Sequence, residues 1–207
     1  MSSDAGAPVL ILPVHETRRV RWRNGRGWTR EILRVPQGEG EDFDFRLSIA
    51  DIGEDSLFSL FPGCDRAMAL LAGEGVELSF ADGRRERLEP PHGRVAFSGD
   101  DVVTSRLLDG PVQDFNAIWK RARFDGKLLH RPLVGSMVFL PERGVQWCLH
   151  VLAGSVNMRG LDMHGSAGNA VLGREDSAWL RPNASNQRVV IEGGAEILLL
   201  RLEDRPL

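Results

Sequence analysis

The chain has 207 residues, 26 Lys and Arg against 29 Asp and Glu, and a net charge of −3. It is long enough to bury a core as one large or two small units, and it lacks the basic field that would attract a phosphate backbone, so nucleic acid is excluded as a partner. Its two cysteines, Cys64 and Cys148, lie beside apolar runs and are too few for a secreted disulfide framework.

The cysteines are therefore expected as buried thiols in a reducing cytoplasm. The first apolar stretch, Pro8 to Val14, is short, broken by Pro13 and without a charged flank, so neither a signal peptide nor a membrane span is expected there. Val9 to Leu12 is a first strand. Asn24-Gly25 and Gly27 then stand between two strand-like segments, as a tight turn with positive φ requires. After Pro36, the run Gln37 to Asp42 is an acidic loop that leads into the most informative stretch of the chain.

From Phe43 the residues alternate. Phe43, Phe45, Leu47 and Ile49 fall on one face and Asp44, Arg46 and Ser48 on the other, the period of a half-buried strand. Phe58 to Phe61 is a second short strand ended by Pro62-Gly63, and Met68 to Ala72 a third, apolar on both faces. Val76 to Phe80 and the strand after Ala81-Asp82-Gly83-Arg84 form a hairpin, and Arg94 to Phe97, Val102 to Leu108 and Val112 to Trp119 follow between Gly- and Pro-bearing turns. No long amphipathic helix appears, which points to an all-β sandwich or barrel.

The second half repeats this rhythm. Val134 to Leu140 and Val145 to Leu152 are strands. Val151-Leu152-Ala153-Gly154 echoes Leu70-Leu71-Ala72-Gly73, and Gly173-Arg174-Glu175-Asp176 makes a turn. A last pair, Arg188 to Ile191 and Ala195 to Leu202, turns at Glu192-Gly193-Gly194. This order suggests duplication and two small jelly-roll barrels packed side by side, divided at residues 1–118 and 119–207 as packed halves of one globular unit.

Three motifs carry a resemblance: Trp22-Arg23-Asn24-Gly25-x-Gly27-x-Thr29-Arg30-Glu31, Arg46-Leu47-Ser48-Ile49-Ala50-Asp51, and Phe58-Ser59-x-Phe61-Pro62-Gly63-x-Asp65-Arg66. Together with Leu70 to Gly75, Ser98-Gly99-Asp100 and Gly110-Pro111-Val112-x-Asp114-Phe115-Asn116, they resemble the HutD (Ves-like) family found with bacterial histidine-utilisation genes. The likeness covers residues 9 to 118 well and the remainder mainly in pattern. It implies a bicupin fold and a role in controlling histidine catabolism, with no established reaction. Arg26, Trp28 and Trp119 depart from the residue types usual at those places.

Cupins commonly hold a metal through a His-x-His pair, a glutamate and a later histidine. Here His15, His92, His130, His150 and His164 are scattered singly, so no metal and no cofactor is expected. The polar residues suit a small anion instead. Arginine grips a carboxylate with two parallel hydrogen bonds, and Arg30, Arg46 and Arg66 sit in the three motifs. Asn24, Thr29 and Ser48 add neutral donors, Phe61 and Asn116 complete the set, and Glu31, Asp51 and Asp65 bind a cationic part of the ligand or orient the arginines. Asp114 either lines the pocket or holds a loop, the latter being preferred.

Two function classes follow. The first is a cytoplasmic protein that senses or buffers an intermediate of histidine breakdown, urocanate or a formyl- or formimino-glutamate. The second is a metal-independent hydrolase or isomerase using Glu31, Asp51 or Asp65 as general base. The expected partner is a small anionic metabolite, with no nucleic acid and no membrane; a homodimer is compatible with the sequence.

Overall fold

The computed structural model describes residues 9–21, 27–36, 42–140, 142–163, 166–181 and 188–206. Among these residues the chain is all-β apart from one 3-10 turn at Val14–Glu16, and it divides into two compact units, Thr17–Phe124 and Met1–Glu16 with Asp125–Leu207. The first strand, β1 (Val9–Leu12), belongs to the second of these because it pairs antiparallel with a strand late in the chain. A division by sequence order at 118/119 puts it with the first half instead.

The unit of residues 17–124 holds two sheets. Six strands, in the order β2 (Arg18–Arg21), β3 (Gly27–Val35), β4 (Phe45–Ile52), β11 (Val112–Lys120), β6 (Cys64–Ala72) and β9 (Arg94–Ser98), form one. The other runs β5 (Ser56–Leu57), β10 (Val103–Leu107), β7 (Val76–Phe80) and β8 (Arg85–Leu88). Both sheets are open, and they share one core in which Ile52, Met68, Leu70 and Val112 of the first meet Val76, Leu78, Leu88 and Val103 of the second. Each such large side chain contributes about 1.5–3 kcal/mol by leaving water.

Two expectations for this unit are corrected. Phe58 to Phe61 is not a strand: β5 ends at Leu57, and the next residues run as a loop held by Phe58 N–H to Val103 O at 2.9 Å and Phe61 N–H to Gly99 O at 2.8 Å. Phe43 does not share a face with Phe45. It lies before β4 begins and packs with Cys64 and Ile118, on the other side of the sheet. The hairpin of β7 and β8 forms as expected, with Gly83 at φ +90.

The second unit is one sheet, β1-β15-β13-β16-β12, with β14 also on β13. Its strands β12 (Phe124–Phe139), β13 (Val145–Met163) and β16 (Val189–Asp204) are long, and β14 (Ser166–Leu172) and β15 (Ser177–Leu180) lie one after the other along one edge of β13. Glu192-Gly193-Gly194 is therefore not a hairpin turn. It continues β16, with Gly193 opposite Val156 and Gly194 opposite Ser155.

Both units share one pairing scheme. β6 lies between β11 and β9, while β7 lies between β10 and β8; correspondingly, residues 147–150 of β13 lie between the late part of β16 and β15, and residues 156–159 between its early part and β14. The tetrapeptide echo falls at the matching point. Leu71 is the residue skipped between β6 and β11, Leu152 the one skipped between β13 and β16, and each bulge is followed by a glycine of positive φ, Gly73 at +93 and Gly154 at +77. A bulge adds twist and bends its strand, so the same four residues redirect the chain in both units.

Cys64 and Cys148 are free and buried, and burial raises both thiols, Cys148 the more strongly. Since the thiolate is the reactive form, native protein at pH 8 is expected to resist alkylation at Cys148 until urea opens the fold. Mass spectrometry of partially labelled protein reads this; rapid native labelling of Cys148 would contradict its burial.

Candidate functional site

Strand periodicity and two pairing registers bring most of the expected residues onto one face of the six-stranded sheet, the face that Ile52, Met68 and Leu70 turn toward the four-stranded sheet. Across it, Arg34 of β3, Arg46 of β4, Ile118 of β11, Arg66 of β6 and Phe97 of β9 are register partners in a single row. The next row is Glu31, Ser48, Asn116 and Met68, and the one after it Thr29, Ala50, Asp114 and Leu70. Glu31 and Arg34 share the face only because Ile32 is bulged out between them.

Arg46 and Arg66 flank Ile118, two strand spacings or about 9.6 Å apart at the backbone. Both guanidiniums pack on Phe61, each 5.4 Å from its ring centre. Phe43 also packs on Arg46 at 5.5 Å, and Phe58 and Phe97 on Arg66 at 5.2 and 5.0 Å. This is an aromatic-walled site, and the walls strengthen any charge interaction by keeping water away.

Arg66 is 7% exposed and donates to two neutral acceptors, Ser59 O at 3.3 Å and Asn116 Oδ1 at 3.0 Å, while its buried Nε has no partner. Arg46 makes no hydrogen bond to the described residues, and its Nε is likewise buried and unsatisfied. Burial lowers Arg66 to about 10, with Asp114 opposing and Arg46 adding to the fall; burial also lowers Arg46, with Glu31 opposing. Both remain cationic at neutral pH. Glu31 is engaged by Arg34, whose Nε donates to Oε1 at 3.3 Å and to Oε2 at 3.1 Å.

Asn116 in turn donates to Asp114 Oδ1, a carboxyl with no exposure whose Oδ2 is unpartnered. Burial pushes Asp114 up to about 7, against the pull of Arg66 and with a push from Asp51. Asp114 is thus an interior neighbour of the arginines and not a loop residue.

Three of the expected residues lie elsewhere. Arg30, Asp51 and Asp65 point to the opposite face of the sheet, because on a strand each neighbour of an inward residue points outward. Arg30 and Asp51 border a cleft of about 510 Å³ with Arg19, Ile49, Pro111 and Gln113. There Asp51 pairs with Arg19 and accepts from Gln113 Nε2 at 2.8 Å. Asp65 accepts from Arg121 Nε at 2.6 Å, and Arg121 also reaches Ser98 Oγ at 2.7 Å and Asp100 at 3.0 Å, so this cluster closes a turn. Trp28, 38% exposed, stacks under Arg19 at 4.8 Å and does not wall the interior site.

Asn24 and His164 lie outside the described residues. His150 is a buried core histidine, Nδ1 2.9 Å from Ser177 Oγ. The residues that sequence reading missed are Arg34, Phe43 and Phe97. A bulge, a chain entry and a cross-strand neighbour put them in place, and none of these leaves a local signal.

The chain matches the HutD family over residues 14–199. It is 42% identical over 119 residues to an uncharacterized 21.2 kDa protein in the hutC 3′ region of Pseudomonas putida, a match spanning 57% of this chain and 62% of that one. It is 40% identical over 108 residues to protein Ves of Citrobacter koseri, covering 52% and 56%. In both cases the match spans less than two thirds of the curated relative's length. Among solved structures, HutD from Pseudomonas fluorescens SBW25 (formate condition) superposes with a TM-score of 0.78 at 30% identity, over 96% of this chain and 100% of that one. Protein YlbA of E. coli, at 10% identity and a TM-score of 0.73 over 100% and 95%, shows that the fold is cupin-like and nothing more. By the extent of the family match, the chain belongs to the HutD family.

Proposed function

We propose that this protein binds a small carboxylate of histidine breakdown, of the urocanate or formyl- or formimino-glutamate class, between Arg46 and Arg66, and thereby senses or buffers it in the cytoplasm. The observation that carries this reading is the pair of cationic, aromatic-walled guanidiniums with buried and unsatisfied Nε groups. A buried donor without a partner costs about 1–3 kcal/mol, more when charged, and a carboxylate placed there would relieve both. Ser48 and Asn116, in the row beside them, supply neutral polar groups for the rest of the ligand. The shared pairing scheme and cupin-like neighbours support a bicupin origin for the two units, and the relative encoded in the hutC 3′ region supports the metabolic context.

Calorimetric titration tests this reading. N-formyl-L-glutamate or urocanate is expected to bind with a one-to-one stoichiometry, and a neutral analogue such as the diamide is not. Absence of binding by every carboxylate across pH 6 to 8 would refute it. The enzyme reading has one observation in its favour, the buried Asp114 carboxyl near pH 7, a value suited to proton transfer. The three carboxylates that the sequence offers for that role are otherwise engaged: Glu31 by Arg34, Asp51 by Arg19 and Asp65 by Arg121.

A further inference from the structure

Charge in the interior of the first unit is unevenly distributed. In the three rows formed by β3, β4, β11 and β6, Arg34, Arg46 and Arg66 stand against one carboxylate, Glu31, which Arg34 holds at both oxygens and whose register partner on the edge strand is the exposed Arg18. The other acid in these rows is Asp114. When it is neutral these rows carry two uncompensated positive charges; when it ionises, they carry one.

Asp114 is placed to act on the site without touching a ligand. It is fully buried between Ala50 of β4 and Leu70 of β6, and its contact with the arginines runs through Asn116: the Asn116 amide N–H donates to Asp114, and the Asn116 carbonyl oxygen accepts from Arg66 at 3.0 Å. The amide is therefore oriented by its two neighbours. The charged groups that Asp114 senses are Arg66 from β6 and Asp51 from β4; the core that the facing sheet contributes on this side, Val76, Leu78 and Val103, is apolar. An ionised Asp114 lacks water and has one unpartnered oxygen, a costly state unless Arg66 compensates it.

We propose that Asp114 is a positioning residue which, through Asn116 and Arg66, selects ligands by charge: while its carboxyl is neutral, the Arg46–Arg66 site accepts a dicarboxylate in preference to a monocarboxylate of the same shape. This rests on the carboxylate-binding reading above and narrows it to a dianionic ligand. Binding of two negative charges opposes ionisation of Asp114, so a dicarboxylate takes up a proton with it whenever Asp114 is ionised in the free protein. Because that carboxyl titrates near 7, dianion affinity is full on the acid side and falls as pH rises through 7 and beyond, by up to about tenfold per pH unit.

N-formyl-L-glutamate and N-formyl-L-glutamine form a matched pair for the test, since they differ by one carboxylate replaced with an amide and their acids stay ionised from pH 6 to 8.5. For the wild type, formylglutamate affinity should fall about tenfold between pH 6.5 and 8.5, and formylglutamine affinity less than threefold. Asp114→Asn keeps the size and the hydrogen-bonding reach of the side chain but cannot ionise. In that variant the formylglutamate profile should be flat, with tighter binding than wild type at pH 8. If Asp114→Asn does not fold, wild-type calorimetry at pH 7.5 in two buffers of different ionisation enthalpy decides, because dianion binding should take up a fraction of a proton. A pH-independent wild type, a variant that keeps the wild-type slope, or no proton uptake overturns the role of Asp114 while leaving carboxylate binding intact. Failure of both compounds to bind at any pH refutes the underlying reading instead.

Discussion

Arg46→Lys is expected to weaken N-formylglutamate binding about ten- to a hundredfold, a loss of roughly 1.5–3 kcal/mol, while the thermal midpoint changes little. Lysine keeps the positive charge but is a point donor on a flexible stem, so it loses both the bidentate grip on a carboxylate and the guanidinium's packing on Phe43 and Phe61. Stability should be spared because Arg46 makes no hydrogen bond to the described residues for the substitution to break. Arg66→Lys is a different experiment, since Arg66 also holds Ser59 and Asn116 and sits against three rings; it should lower affinity and stability together. Calorimetry on folded Arg46→Lys with unchanged affinity would remove Arg46 from the site and leave its buried guanidinium unexplained.

Gly154→Ala should destabilise the protein by about 3 kcal/mol or more, because one added methyl brings backbone strain and a backbone collision together. At φ +77 an alanine is already strained, and its Cβ would stand 2.0 Å from Gly194 O and 2.9 Å from the Ala195 Cα, both backbone atoms of the strand paired to it. Neither can move without breaking the β13–β16 ladder. Gly135→Ala in the same unit is the control: φ is +85, yet nothing lies within 4 Å, so strain alone should cost about 1 kcal/mol. Urea midpoints of the two variants separate strain from collision, and equal losses would show that the bulge at Leu152 leaves more room than the structure indicates.

The β class, many of the strand positions and the tetrapeptide echo were legible in the residues themselves. Alternation of apolar side chains is a local consequence of pleating, and a positive-φ glycine is required locally by the backbone, so Val76 to Phe80, the Gly83 turn, Gly73 and Gly154 announced themselves. Arg46 stood out on its alternating strand and Arg66 through its motif, although β6 begins at Cys64 and not at the expected Met68, which places Arg66 inside the strand. What the residues alone could not show was which polar neighbours share a face across strands. Asp65 and Arg66 are adjacent in sequence and look like one group, but the period of two sends them to opposite sides of the sheet. Glu31 and Arg34 have the opposite parity and yet share a side, because Ile32 is bulged. Asp114 reaches Arg66 only because β11 lies between β4 and β6. The long β16 was likewise hidden, since Glu192-Gly193-Gly194 has the composition of a turn and only its pairing with Ser155 to Asn157 keeps it extended. Local chemistry thus determined the elements and the candidate cations. Register and bulges, which depend on contacts between segments as far apart as Arg66 and Asn116, decided which cations face each other and which acid stands behind them.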